Sequence, residues 1–225
     1  ANPTIALTTK TTQGAASATG AFTSAITGLT PGTLYHVRAY ATNTAGTSYG
    51  ADVSFAVTTT SVMTSGSPSV YGTPVTFTAT VFPATATGTV TFFDGATVLG
   101  TGTLSAGTAT LSISTLSVSG SPHSITATLA GSGIYGSSTS SPISQTITPA
   151  TLTYTANPAS RIYGAANPAF SGTVTGFVVP DTQLTATTGT LSFTSTATTT
   201  SNVGSYAITG SGLTANNGNY TFVQA

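Results

Sequence analysis

His36 and Arg38 stand two residues apart in the stretch GLTPGTLYHVRAYATNTAGTSYG, Gly28–Gly50, of a chain with almost no other charges. An imidazole can move a proton or bind a metal, and a guanidinium can clamp a carboxylate or phosphate. Together with Tyr40, the two would form a small ligand-contact stripe. If the stretch is a strand, alternation divides it into two faces: Tyr35, Val37 and Ala39 inward, His36, Arg38 and Tyr40 toward solvent. A hairpin would return Asp52 to their side, and an exposed Arg38–Asp52 pair contributes only ~0–1 kcal/mol. The simpler reading, the wet face of a strand, is therefore favoured over a site.

The remaining charges and histidine do not assemble a second candidate. Lys10, Arg161, Asp94, Asp181 and His123 complete the set, with no Glu and no Cys. The three aspartates are spread one to each part of the chain, whereas acid–base glycoside hydrolysis needs two across one cleft. No segment offers the several carboxylates that calcium prefers. His123 has no His, Cys or carboxylate close in sequence to share a metal, and is expected to hydrogen-bond backbone where its strand starts. There is no G-x-S-x-G elbow on a strand-to-helix turn, and Lys10, the sole lysine, lies outside any phosphate-cradling loop. Lys10 is likewise the sole lysine for a Lys–Asn amide cross-link, which needs a buried acid beside it. The triplet NYT at Asn219 fits a glycosylation acceptor but falls in an expected hairpin. No catalytic residue, metal site or cofactor is expected.

Composition narrows the class further. Charged residues are 3% of the chain, against roughly 25% in ordinary soluble proteins. With net charge zero, nothing steers the chain to nucleic acid or an anionic membrane. A 39% hydrophobic content rich in β-branched and aromatic residues argues against disorder. Threonine, roughly a quarter of all positions, supplies the polarity instead, and its branched Cβ favours extended backbone. No apolar run reaches the ~18–20 residues of a membrane-spanning helix, and no basic-then-apolar leader opens the chain. The lack of Cys rules out a disulfide framework without fixing the compartment, and the chain is read as extracellular because many secreted β-modules share this cysteine-free composition.

The elements that would position any site are strands. PVTFTATVF places Val75, Phe77, Ala79 and Val81 on one face, HSITATL does so for Ile125, Ala127 and Leu129, and TLSFTS for Leu191 and Phe193. His123 shares the inward parity of its strand. Period-two alternation between Gly, Pro, Asn and Ser punctuation argues for β-sandwiches. DGA at Asp94–Ala96 and NNGN at Asn216–Asn219 are tight-turn signals, because Gly after Asp or Asn tolerates positive φ. Thr58–Ser61 and Pro149 read as short, stiff joints, giving three modules.

Residues 1–60 resemble the C-terminal half of a fibronectin type III domain, through Leu29-x-Pro31-x-x-x-Tyr35 followed by an alternating strand that ends at Asn43 and a glycine turn. The resemblance implies a structural corner of Leu29 and Tyr35, with the Tyr35 hydroxyl bonded to nearby backbone. Only two candidate strands, TIALTT and AFTSAI, precede that corner, so the opening strands are missing. Either the chain is an excerpt, or another copy supplies them by strand addition. Residues 61–148 resemble a bacterial immunoglobulin-like repeat, through SVYGTPVTFTATV, GTVTFFDGATVLGTGTLSAGTATL and HSITATLAGSGIYGSS. An Asp is usual after the AG step of such repeats; Ser132 stands there instead, which speaks against a cation site. Residues 149–225 resemble the MBG-type module of large bacterial surface proteins, through YTANPASRIYGAANPAFSGTVTGFV and SNVGSYAITGSGLTANNGNYTF. Tyr71-Gly72-x-Pro74 and Tyr163-Gly164-x-x-x-Pro168 are similar motifs in the last two modules. The chain stops just after an apparent strand, NYTFVQA, and is expected to be cut short there.

The expected fold is all-β: a string of immunoglobulin-like and fibronectin III-like sandwiches joined by short linkers. The expected role is a non-catalytic structural or adhesive segment of a large bacterial cell-surface or secreted protein. Edges without protective charge favour self-association into fibres or a surface layer. The alternative is a spacer or carbohydrate-binding appendage of a secreted polysaccharide-degrading enzyme. Tyr40, Tyr49 and Tyr135 would then be the exposed platforms for a glycan.

Overall fold

Strand alternation in the sequence becomes buried faces in the structure, a computed structural model that describes residues 3–8, 10–15 and 20–225. Its helical content among the described residues is one short helix, Gln183–Ala186, and one 3-10 turn, Asn216–Gly218. The chain forms two compact units. One comprises Ala1–Met63, Phe77–Leu111 and Ile125–Ile143; the other comprises Thr64–Thr76, Ser112–Ser124 and Ser144–Ala225. The division runs through the strands of residues 61–148.

In that middle stretch, Val75–Phe82 lies between Thr108–Ile113 and Thr59–Thr64 in one sheet. A second sheet runs Ser138–Thr139, His123–Leu129, Thr89–Asp94, Thr97–Thr103, with Ile143–Gln145 also paired to His123–Leu129. Val75, Phe77, Ala79 and Val81 are at most 2% exposed, and Val90, Phe92, Ile125, Ala127 and Leu129 are fully buried. Full burial of each large side chain contributes about 1.5–3 kcal/mol. The Asp94–Ala96 turn closes a hairpin between two of these strands, with φ of 55° at Gly95. Thr58–Ser61, expected as a joint, instead runs into the strand Thr59–Thr64. Thr58 Oγ1 donates to the Gly136 carbonyl at 2.9 Å, and Thr60 Oγ1 pairs with Ser138 Oγ at 2.7 Å, so hydroxyls pull the stretch into the ladder.

Residues before the corner depart from expectation. Neither Thr4–Thr8 nor Ala21–Ile26 is a strand; Thr9, the last residue of TIALTT, lies outside the described residues. Alternation marks a face, but a strand also needs a hydrogen-bonded neighbour. Here the backbone closes local turns instead, Leu7 N–H to Thr4 O and Lys10 N–H to Thr8 O. Leu34–Val37 pairs antiparallel with Val53–Ala56, and Tyr40–Asn43 with Gly46–Tyr49.

In the last segment, Ala150–Ala156 lies between Gly172–Thr175, antiparallel, and Tyr220–Gln224, parallel. Thr187–Ser195 and Ile208–Ala215 form an antiparallel pair with a register shift after Gly189. Ala150, Leu152, Ala186 and Tyr220 make the core. Tyr154 stacks on Phe222 at 5.1 Å and meets Phe193 edge-on at 6.4 Å. Gly210 is required beneath that ring, since a Cβ there would lie 2.6 Å from Tyr154.

Across the strands, hydroxyls pair where other proteins place ions. Thr42 and Thr47 are 2.9 Å apart at Oγ1, Thr128 and Thr139 3.0 Å, and the Ser192 and Ser211 Oγ atoms 3.1 Å.

Candidate functional site

His36, Arg38 and Tyr40 do come together, on a ribbon with a change of register at its centre. Val37 lies opposite Val53 but Tyr40 opposite Tyr49, so residues 38–39 face residues 50–52, two against three, as in a β-bulge. The extra residue ends simple alternation: Ala39, expected inward, is exposed. It also changes the partners. Asp52 Oδ2 lies 2.9 Å from His36 Nδ1, not beside Arg38. Arg38 donates from Nε to the Gly50 carbonyl at 3.0 Å and lays its guanidinium 4.8 Å from the Tyr49 ring centre. The Tyr40 and Tyr49 rings are 6.5 Å apart.

A serine completes this cluster without making it a catalytic triad. Ser54 Oγ lies 3.1 Å from His36 Nδ1, the same ring nitrogen that meets Asp52. A triad requires the acid on one nitrogen and the nucleophile on the other, so that the far nitrogen can take the serine proton. Here serine and acid crowd one nitrogen, and Ser54 gains no base. The His36 side chain is 40% exposed.

The corner beside the ribbon is tight. The Thr30 N–H donates to the Tyr35 hydroxyl oxygen at 2.7 Å, and Tyr35 stacks on Phe55 at 5.6 Å. That donated bond favours the phenolate, and it holds Tyr35 below the ordinary tyrosine pKa. Leu29 is half-buried and lines an open pocket of about 470 Å³ with Tyr35, His36, Arg38, Tyr40 and Tyr49.

A second cluster was not legible in the sequence. Asp181 precedes Thr182, the N-cap of Gln183–Ala186, and its amide bonds the Val178 carbonyl. Its Oδ2 accepts from the Tyr220 hydroxyl at 2.6 Å and from the Tyr71 hydroxyl at 3.1 Å. Tyr220 Oη also accepts the Val178 N–H at 3.0 Å. The Tyr71 and Tyr220 rings meet edge-on at 5.4 Å, with Phe177 on Tyr220 at 5.8 Å. Tyr71 comes from the middle stretch and is packed into the core of the last one. Gly72 makes the approach possible: at φ of 83°, a Cβ would lie 2.2 Å from Val178. Burial, then the bond to Asp181, pushes both phenols above the ordinary tyrosine value, Tyr220 further than Tyr71.

The other singled-out residues have structural partners. His123, 6% exposed, contacts the Ser117 carbonyl through Nε2 at 2.8 Å, where its strand starts. Asn219 is 8% exposed and its Oδ1 accepts the Val118 N–H at 2.8 Å. Tyr40, Tyr49 and Tyr135 are half-buried. The exposed tyrosines are Tyr163 and Tyr206, at 66% and 43%. Among the described residues, no group of three His, Cys, Asp or Glu side chains could hold a metal ion.

Comparison with known families finds two matches along the chain. Residues 61–148 match the bacterial Ig-like domain (group 3), and residues 152–225 match the MBG domain of the YGX type. Tyr163-Gly164 lies inside the second match. Domains of both kinds are typically non-catalytic and typical of extracellular or surface proteins. No curated protein matches the chain. No described helix is long and apolar enough to cross a membrane.

Proposed function

With a bacterial Ig-like domain at residues 61–148 and an MBG domain at 152–225 as the premise, we propose that the chain is a structural or adhesive segment of a large bacterial cell-surface or secreted protein. The observation that carries the reading is the joint between the two domains: Tyr71 of one packs into the core of the other and shares Asp181 with Tyr220. Such an interlock offers a route for load to pass from residues 64–76 into residues 144–225, within one compact unit. Assembly into fibres or a surface layer would use the ribbon of residues 34–56, where Leu34 and Val53 are 50% and 56% exposed and the charges, Arg38 and Asp52, sit at the bulge rather than in the strands Leu34–Val37 and Val53–Ala56. Sedimentation velocity tests this. The chain is expected to form larger species as concentration rises, and Leu34→Lys with Val53→Lys to restore the monomer. A chain that stays monomeric at the highest concentration overturns the assembly reading.

Glycan binding is the second reading, supported by the 470 Å³ pocket that gathers Arg38, Tyr40 and Tyr49. On an array of bacterial and plant polysaccharides, Tyr40→Ala is expected to weaken any binding roughly tenfold. An empty array refutes it.

A further inference from the structure

The two Tyr–Gly turns share one backbone geometry, with φ of 83° at Gly72 and 82° at Gly164. Each follows a strand that runs parallel to the last strand of its domain: Ser69–Val70 beside Ile147–Thr148, and Ala150–Ala156 beside Tyr220–Gln224. They differ in what covers them. Tyr71 is seated against Tyr220 and bonded to Asp181. Tyr163 is 66% exposed and its neighbour Ile162 80%.

The uncovered turn belongs to a larger face in which apolar side chains are interspersed with polar ones such as Asn167 and Asn202. Tyr163 lines an open pocket of about 490 Å³ with Pro168, Phe170, Val203 and Tyr206. Val203 is 91% exposed. Arg161 braces the loop that carries Tyr163, donating to Asn167 Oδ1 at 2.7 Å, to the Ala165 carbonyl at 3.0 Å and to the Thr198 carbonyl. The last strand also reaches this end: Gln224 Nε2 donates to the Gly210 carbonyl at 2.8 Å, two residues from Ile208 of the pocket wall.

We propose that the Tyr163–Gly164 turn and its surround are the docking face for a further MBG-type domain joined in tandem, which would receive Tyr163 as residues 149–225 receive Tyr71. The incoming domain would offer a carboxylate and a tyrosine placed as Asp181 and Tyr220 are. Its core would cover Ile162 and Val203. The proposal rests on the interlocked-joint reading above, and fails separately from it.

The test extends the full chain by a second copy of residues 149–225, in which Tyr163→Phe removes the new copy's own signal. Nitration of tyrosines by tetranitromethane, read by peptide mass, reports exposure. In the parent chain, Tyr163 is expected to react readily and Tyr71 slowly. In the extended chain, the original Tyr163 is expected to react at least about tenfold more slowly, since modification then waits for local opening. Asp181→Asn in the added copy is expected to return the parent rate, with that copy's own calorimetric transition showing that it still folds. A Tyr163 that stays reactive in the extended chain beside a protected Tyr71 overturns the docking alone. Protection that survives Asp181→Asn overturns it too. A Tyr71 as reactive as Tyr163 in the parent chain overturns the interlocked joint itself.

Discussion

Truncating Tyr220 to alanine is expected to destabilise the unit of residues 64–76, 112–124 and 144–225 by about 3–5 kcal/mol, the cost of removing a buried aromatic side chain. The ring is 4% exposed and touches Tyr71 and Phe177. Its hydroxyl both donates to Asp181 and accepts from Val178. Tyr220→Phe keeps the ring and strips the hydroxyl, and is expected to cost about 1–3 kcal/mol, because Asp181 and an amide lose a partner. Urea titration followed by near-ultraviolet circular dichroism checks both, and a loss under about 1 kcal/mol for the alanine variant contradicts the packing. Alkali supplies an independent arm. The folded pKa of Tyr220 and Tyr71 lies above the ordinary value of 10.0. The joint's contribution is therefore complete below about pH 10 and is lost as pH climbs from there toward the raised folded values, by up to about 1.4 kcal/mol per pH unit for each phenol. Tyr35 carries the opposite sign. Its lowered pKa adds stability above pH 10.0 that disappears as pH falls through the folded value. Tyr220→Phe should flatten the alkaline loss; an unchanged profile would assign that loss elsewhere.

Phe77→Ala is expected to be as damaging, by about 3–5 kcal/mol, in residues 61–148, the stretch similar to a bacterial Ig-like domain. Phe77 is fully buried, flanked on its own strand by Val75 and Ala79, and no polar contact compensates for the cavity. Thr78→Ala, one residue along on the outer face, is expected to change stability by no more than about 0.5 kcal/mol. Thermal melts of the pair measure the contrast directly. Equal effects would mean that Val75–Phe82 is turned over in the sheet, since a one-residue slip exchanges the faces.

That contrast marks what could be read in advance. Alternation located the buried faces of Val75–Phe82 and His123–Leu129, including the inward parity of His123, because side-chain direction in a strand is a local property. It failed at Ala39, where an extra residue across the ribbon moved the register, and no local pattern in residues 34–40 records that. It failed for Thr4–Thr8 and Ala21–Ile26, whose alternation found no partner strand. The Asp181 cluster was hidden for another reason. Its members lie 110 and 39 residues from the carboxylate, and only the fold gathers them. The likeness of the two Tyr–Gly motifs was visible as sequence; that one turn is seated and the other bare was not.

The hydroxyl pairs of Thr42 with Thr47, Thr128 with Thr139 and Ser192 with Ser211 carry no charge for counter-ions to screen. Where cross-strand contacts are made this way, dilute fresh water and concentrated brine meet the same sheet, and its cohesion is set by contact alone.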